Sequence, residues 1–169
     1  MHKFNFFISP ESIKENKIIV KDKELIRRIY KALRLKINDN VNFLDNQNNI
    51  YDSKLTKISN TEILADIIDK QTIKQQLTLN LYPSLIQKKD FELLAEKTAE
   101  IGISSLTPLI AERSQIKKIN LERIKKIVKQ SAEQSKKILI PKINSPATIE
   151  KVAQGLKIVL SQEGKNILE

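Results

Sequence analysis

The sequence contains no cysteine, so disulfides and thiolate chemistry are excluded, and a zinc site would have to rely on carboxylates and the single histidine, His2. No metal site is expected. A Ser-His-acid triad would need that same residue at the extreme start of the chain, where it reads better as the beginning of a strand. Glycine is nearly as scarce. Gly102, Gly155 and Gly164 are the three, and none lies in a GxG turn or a phosphate-cradling loop, which argues against kinase, NTPase and Rossmann sites. No apolar run approaches a membrane span, and the stretch before Pro10 is too short and too interrupted for a signal peptide. The expected location is the cytoplasm, with no membrane partner.

What the chain does hold is enough apolar material for a core, 40% of 169 residues, sufficient for one ordinary domain or two small ones. Its charge is uneven. Between Arg113 and Lys142 there are ten Lys or Arg against only Glu122 and Glu133, a local charge of +8 in a chain of +10. Such a concentration fits a polyanion partner, because each neutralised phosphate releases condensed counterions, and it equally fits a solvated helix face in a lysine-rich chain.

The first seventy residues read as strands around one helix. Over 24–35 the apolar residues Leu25, Ile26, Ile29, Tyr30 and Leu33 recur at helical spacing, with Arg27, Arg28, Lys31 and Arg34 on the other side. Short apolar or alternating runs follow at 41–44, 50–58 and 63–68, separated by turn-prone stretches at 45–49 and 59–60, a pattern of a small meander or barrel.

From about Leu77 the rhythm becomes strand, helix, strand, helix, as in a parallel α/β sheet. A strand is expected over 77–82. Asp90 can cap a helix carrying Phe91, Leu94, Ala95, Thr98 and Ile101, with Gly102 as a left-handed stop. Residues 106–110 read as a second strand. Asn120 can cap a helix with Leu121, Ile124, Ile127, Val128 and Ser131 on one side and Lys125, Lys129 and Lys136 on another. A short strand from Ile138, a helix opened by Ser145 and Pro146, and a strand over 156–161 complete the reading. Phe91, Leu94, Ile101, Ile124 and Val128 are expected in the core, and the polar residues 69–76 link the two rhythms.

Four stretches in order carry a family resemblance. Ala32-Leu33-Arg34-Leu35-Lys36-Ile37-Asn38-Asp39 followed by Phe43-Leu44-Asp45 is similar to an "LRLKxGD…FDG" motif, and Lys88-Lys89-Asp90 with Glu96-Lys97-Thr98-Ala99-Glu100-Ile101-Gly102-Ile103 to "KGDRME…QKxTELGV". Leu106-Thr107-Pro108-Leu109 with Glu112-Arg113-Ser114 resembles "ITPL…ERS", and Ala132-Glu133-Gln134-Ser135-Lys136 with Pro141-Lys142-Ile143 resembles "AxEQSxRxxxPxI". Together they resemble the small-subunit rRNA uridine-N3 methyltransferases of the SPOUT superfamily (RsmE type).

The resemblance implies an α+β chain in two domains. Residues 1–70 would be a PUA-like RNA-binding β-barrel, and 77–169 a SPOUT α/β domain with a parallel sheet, C-terminally incomplete. It further implies a homodimer that uses S-adenosyl-L-methionine to methylate N3 of a uridine in 16S rRNA of the small ribosomal subunit. The family's "GPEGG" and "LGxRILRTETA" motifs, which form its knot and hold the cofactor, are absent, so no catalytic or cofactor residue carries over. On that ground residues 1–169 alone are expected to bind the cofactor weakly or not at all, to be inactive, and to self-associate. The alternative is a non-catalytic RNA-binding protein that keeps the barrel and the basic helix. Two family glycines are replaced by Asn38 and Asn46, which tolerate left-handed backbone, so those turns are expected to survive. Candidate RNA-binding residues are Arg34, Lys36, Arg113, Lys125, Lys129, Glu133, Gln134 and Lys136. Arg113 follows a strand end, where α/β sites gather. Glu133 and Gln134 lie on a helix with no evident core role, and a solvated face is the competing reading.

Overall fold

The computed structural model describes residues 3–74, 77–111, 116 and 118–151. Strand β1 (Phe4–Phe7) is followed by the short strands β2 (Ile13–Lys14) and β3 (Lys17–Val20), helix α1 (Lys23–Arg27) and a π-helical turn over Arg28–Ala32. Then come β4 (Asn40–Leu44) and the long hairpin of β5 (Asn49–Ile58) and β6 (Ile63–Thr72). These six strands form one sheet in the order β1-β4-β5-β6-β3-β2, parallel only between β1 and β4. The sheet is open, with β1 and β2 as its two edges, where a closed barrel is the expectation.

Alternation decides what each strand buries. Phe6, Val41 and Phe43 join Ile18, Val20, Leu55 and Ile63 under the helix residues Leu25, Ile26 and Ile29. Phe7 and Leu44 point to the opposite face and meet Ala132, Ile138 and Ile140 from later in the chain. Strand β1 is therefore buried on both faces at Phe6 and Phe7, while Asn5 interrupts its apolar run and Phe4 is exposed. At the β4–β5 turn Asn46 has φ 57° and Asn48 φ 68°, and before β4 Asn38 has φ 76°. The asparagines at 38 and 46 do adopt the left-handed turns expected of them.

A second, separate sheet of three parallel strands follows: β7 (Asn80–Leu81), β8 (Ser105–Leu106) and β9 (Lys142–Ile143), in that order. All are shorter than their apolar runs predict, and β9 begins four residues after Ile138. At their C-terminal ends proline is the reason. Pro83, Pro108 and Pro146 each interrupt a strand, and pairing resumes one residue later in bridges of Leu109 with Ser84 and with Ala147. Proline has no N–H to donate, but the Pro83 and Pro108 carbonyls still accept, from Leu109 at 2.7 Å and Ala147 at 2.9 Å.

Helix α2 (Lys88–Ile101) and helix α3 (Leu121–Gln134) pack together through Phe91, Ala95, Ala99, Ile124 and Val128. Arg123 reinforces them with a two-pronged ion pair to Glu92, 2.5 and 2.8 Å. Asn120 caps α3 as expected, its side chain accepting from Arg123 N at 3.0 Å. Asp90 does not cap α2. It lies in the first turn, after Gln87, where its charge complements the helix dipole. Ile101 is 69% exposed, because the helix ends there and carries its last side chain past the core. Among the described residues beyond the Ala147 bridge, Ile149–Lys151 form a 3-10 turn in place of the expected helix, and the strand expected over 156–161 lies outside the described residues. No described helix is long and apolar enough to cross a membrane.

Gly102 ends α2 at φ 92°, and a Cβ there would sit 3.3 Å from Lys137 Cδ, a side chain able to yield. The cost of Gly102→Ala is thus mainly the left-handed backbone, about 1 kcal/mol. Urea unfolding should show a lower midpoint with an unchanged slope.

Candidate nucleic-acid interface

One buried carboxylate ties the two sheets together. Glu133 lies in the last turn of α3 with its side chain 1% exposed. It accepts a hydrogen bond from the Phe7 backbone N–H at 3.0 Å and forms an ion pair with Arg28. Phe7 belongs to an edge strand, so without Glu133 that N–H would be buried and unpaired. The Arg28 guanidinium in turn lies 5.5 Å from the centre of the Phe6 ring. A second tie runs from the β4–β5 turn, where the Asn46 side chain accepts from Ile140 N at 2.7 Å. A third joins Lys126 to Glu24 at 2.6 Å, linking α3 to α1.

The β4–β5 turn is built on Asp45. Its buried carboxylate accepts from Gln47 N at 2.7 Å, Asn49 N at 3.2 Å, Asn49 Nδ2 at 2.6 Å and Tyr51 Oη at 3.2 Å. Burial pushes its pKa up, but these hydrogen bonds to the charged form together outweigh burial and hold it below the ordinary value of 3.8.

Along the seam thus fixed runs a groove of about 800 Å³, lined by Ser9 and Glu11 from the segment between β1 and β2, by Lys14 of β2, by Asp45 and Gln47, and by Lys129 from α3. The expected RNA-binding residues fall in different places. Lys125 is exposed on α3 and paired with Glu122 at 2.7 Å, while Lys129, one turn on, is half-buried at the groove. Lys136 does not continue their row, because α3 stops at Gln134 and Lys136 turns away at φ 58°. Gln134 is exposed. Glu133 is neither a solvated face nor open to a ligand, since both its oxygens are engaged in the strut. Arg34, at φ 51°, and Lys36 are exposed on the loop before β4. Arg113 lies outside the described residues. Sequence reading missed Arg28 and Asp45, and only Asp45, in a turn rich in asparagine, carried a local signal.

At the carboxyl ends of β7–β9, where ligands of parallel sheets gather, the Asn144 side chain donates to Thr107 Oγ1 at 2.8 Å. Among the described residues no group of three His, Cys, Asp or Glu is placed to hold a metal ion.

Residues 73–169, more than half of the chain and including this parallel sheet, match the family of the RNA methyltransferase domain. A ribosomal RNA small subunit methyltransferase E of Mesomycoplasma hyopneumoniae is 30% identical over 161 residues, 91% of this chain and 67% of its own length. The corresponding protein of Rickettsia conorii is 25% identical over 152 residues, 88% of this chain and 62% of its own length. The crystal structure of a ribosomal RNA small subunit methyltransferase E from Neisseria gonorrhoeae bound to S-adenosyl methionine shares the fold. Its TM-score is 0.74 at 21% identity, over 86% of this chain and 63% of that one. A Legionella pneumophila methyltransferase structure with bound SAM gives a TM-score of 0.83 at 18% identity, over 98% of this chain and 73% of that one. The chain belongs to the RNA methyltransferase domain family, in the branch of the ribosomal RNA small subunit methyltransferases E. It spans between half and two thirds of the length of the curated relatives it matches.

Arg28→Met leaves the Glu133 carboxylate buried without its cation and should cost about 3 kcal/mol, read as a lower denaturant midpoint. For Asp45, a depressed folded pKa means stability that is full above 3.8 and lost as pH falls through the folded value. Thermal melts should therefore show wild type well above Asp45→Asn at pH 6, with the gap narrowing only below the ordinary carboxylate pKa.

Proposed function

We propose that the protein transfers a methyl group from S-adenosyl-L-methionine to N3 of a uridine in 16S rRNA. The observation that supports this most is that the family match falls on the parallel sheet β7-β8-β9 and its two helices. N3 lies on the Watson–Crick edge and carries a proton at neutral pH, so the base must be unpaired, and the proton leaves as the methyl arrives. The contribution of the chain's own residues is then to hold RNA and present that base. Lys125, Lys129 and Lys136, with Arg34, Lys36 and Arg113, are the proposed phosphate contacts, and Gln134 is a further polar contact at the end of α3.

The first seventy residues serve in this reading as a PUA-like unit for RNA, and 77–169 as the SPOUT unit. The exposed side chains Leu93 and Ile101 on α2 support pairing with a second copy, in a cytoplasmic homodimer. The cofactor belongs at the carboxyl ends of β7–β9. The described rim there offers Thr107 and Asn144, which already satisfy one another, and backbone engaged in the ladder. These residues by themselves do not make a cradle for it, and no step is assigned to it.

The test is deletion of the gene in its host, with mass spectrometry of nucleosides from purified 16S rRNA. Loss of 3-methyluridine, restored by a plasmid copy, is the expected result. Unchanged 3-methyluridine in the deletion strain overturns the catalytic reading, and the non-catalytic RNA-binding alternative then takes its place.

A further inference from the structure

The apolar rhythm of residues 25–33 puts Tyr30 on the buried stripe with Leu25, Ile26, Ile29 and Leu33. The structure does otherwise. The chain leaves α geometry at Arg28 and makes a π-helical turn, with Leu33 N donating to the Arg28 carbonyl at 2.9 Å and Leu35 N to that of Ile29 at 3.1 Å. A wider turn shifts the phase of every side chain after it. Ile29 stays fully buried, and Tyr30 is carried out to 45% exposure.

The charged residues within four positions of Tyr30 along the chain are all basic. Arg27, three residues before it, and Lys31 and Arg34 after it are exposed, and among the described residues none of the three has an acidic partner. The acid three residues before Arg27, Glu24, is taken by Lys126, and Arg28 is committed to Glu133. The other exposed aromatic, Phe4, already stacks on Phe6 with ring centres 6.3 Å apart. Tyr30 thus presents an open ring with a cation on either side of it along the chain. That is the pairing single-stranded nucleic acid requires, a π-face for a base and positive charge for the phosphates that flank it. A duplex, whose bases are already stacked, has nothing to offer the ring.

We propose that Tyr30 is a stacking platform for one unpaired base of single-stranded RNA, with Arg27, Lys31 and Arg34 on the flanking phosphates. The proposal deepens the RNA reading above and rests on it, but it does not depend on methyl transfer. A π-helical turn, uncommon and frequent at functional sites, here turns an aromatic residue of a core stripe into a binding group.

The experiment uses the full chain, without cofactor, and a uridine-rich single-stranded 12-mer beside a hairpin of equal length. With three tyrosines and no tryptophan, tyrosine emission reports on stacking; Tyr51 is buried and Tyr82 half-buried, and the Tyr30→Phe variant isolates the part that belongs to Tyr30. Quenching by the single strand and little by the hairpin stem is expected. Tyr30→Ala should weaken single-strand binding about tenfold or more at unchanged salt slope, since no phosphate contact is lost. Tyr30→Phe should keep the affinity but lose most of the quench. Lys31→Glu should instead flatten the log–log salt slope by about 0.7. Wild-type affinity in Tyr30→Ala, undiminished quenching in Tyr30→Phe, or equal losses on the hairpin would overturn the platform while leaving the RNA reading intact. No binding of either RNA by the wild-type chain would overturn both.

Discussion

The arrangement of this chain depends on a carboxylate that has no business being buried except in company. Glu133 is removed from water at a desolvation cost that only its partners offset, the Arg28 charge and the Phe7 N–H. The three come from three elements, α3, the π-helical turn and an edge strand, so satisfying one group fixes the mutual placement of all three. A purely apolar seam of Phe7, Leu44 and Ala132 would hold the two sheets together without specifying their register.

From that placement the rest follows. With the end of α3 pinned to β1, the loop beyond it passes close enough to the β4–β5 turn for Asn46 to accept from Ile140, and the groove between them keeps Lys129 as part of its wall. The left-handed Asn46 that makes this reach possible stands where the resembled motif has glycine, so the substitution that preserves the turn also supplies the side chain that bridges. The same Arg28 begins the π-helical turn. The residue that closes the seam is thus the first of the irregularity that exposes Tyr30, and the two surfaces share one short stretch of chain.

How much of this the sequence disclosed depended on range. Helices α2 and α3 announced themselves through periodicity, and Asn120 and Gly102 through local capping chemistry, because each of those signals acts within a few residues. The open sheet was legible as strands but not as an open edge, since closure depends on which strand ends meet in space. Glu133 reads in sequence as an RNA-binding candidate or part of a solvated face because its partners lie 105 and 126 residues away, and nothing local distinguishes a buried glutamate from an exposed one. Tyr30 failed for a different reason. A 3.6-residue template assumes unbroken α geometry, and the five residues of the π-helical turn depart from it where the pattern looked most regular.

The proline that breaks each strand of the small sheet stands one residue before a point of renewed pairing. In the unfolded chain these three rings already restrict φ to the value that the strand exits adopt, so much of the backbone disorder that folding would otherwise have to remove there never existed. Because all three fall at one level, the stiffening is collective, forming a band across the sheet at the end where parallel strands release their chains into loops. Anything that docks at those exits meets a border whose shape was set by covalent ring closure, and the entropy of ordering it is not drawn from the energy of docking.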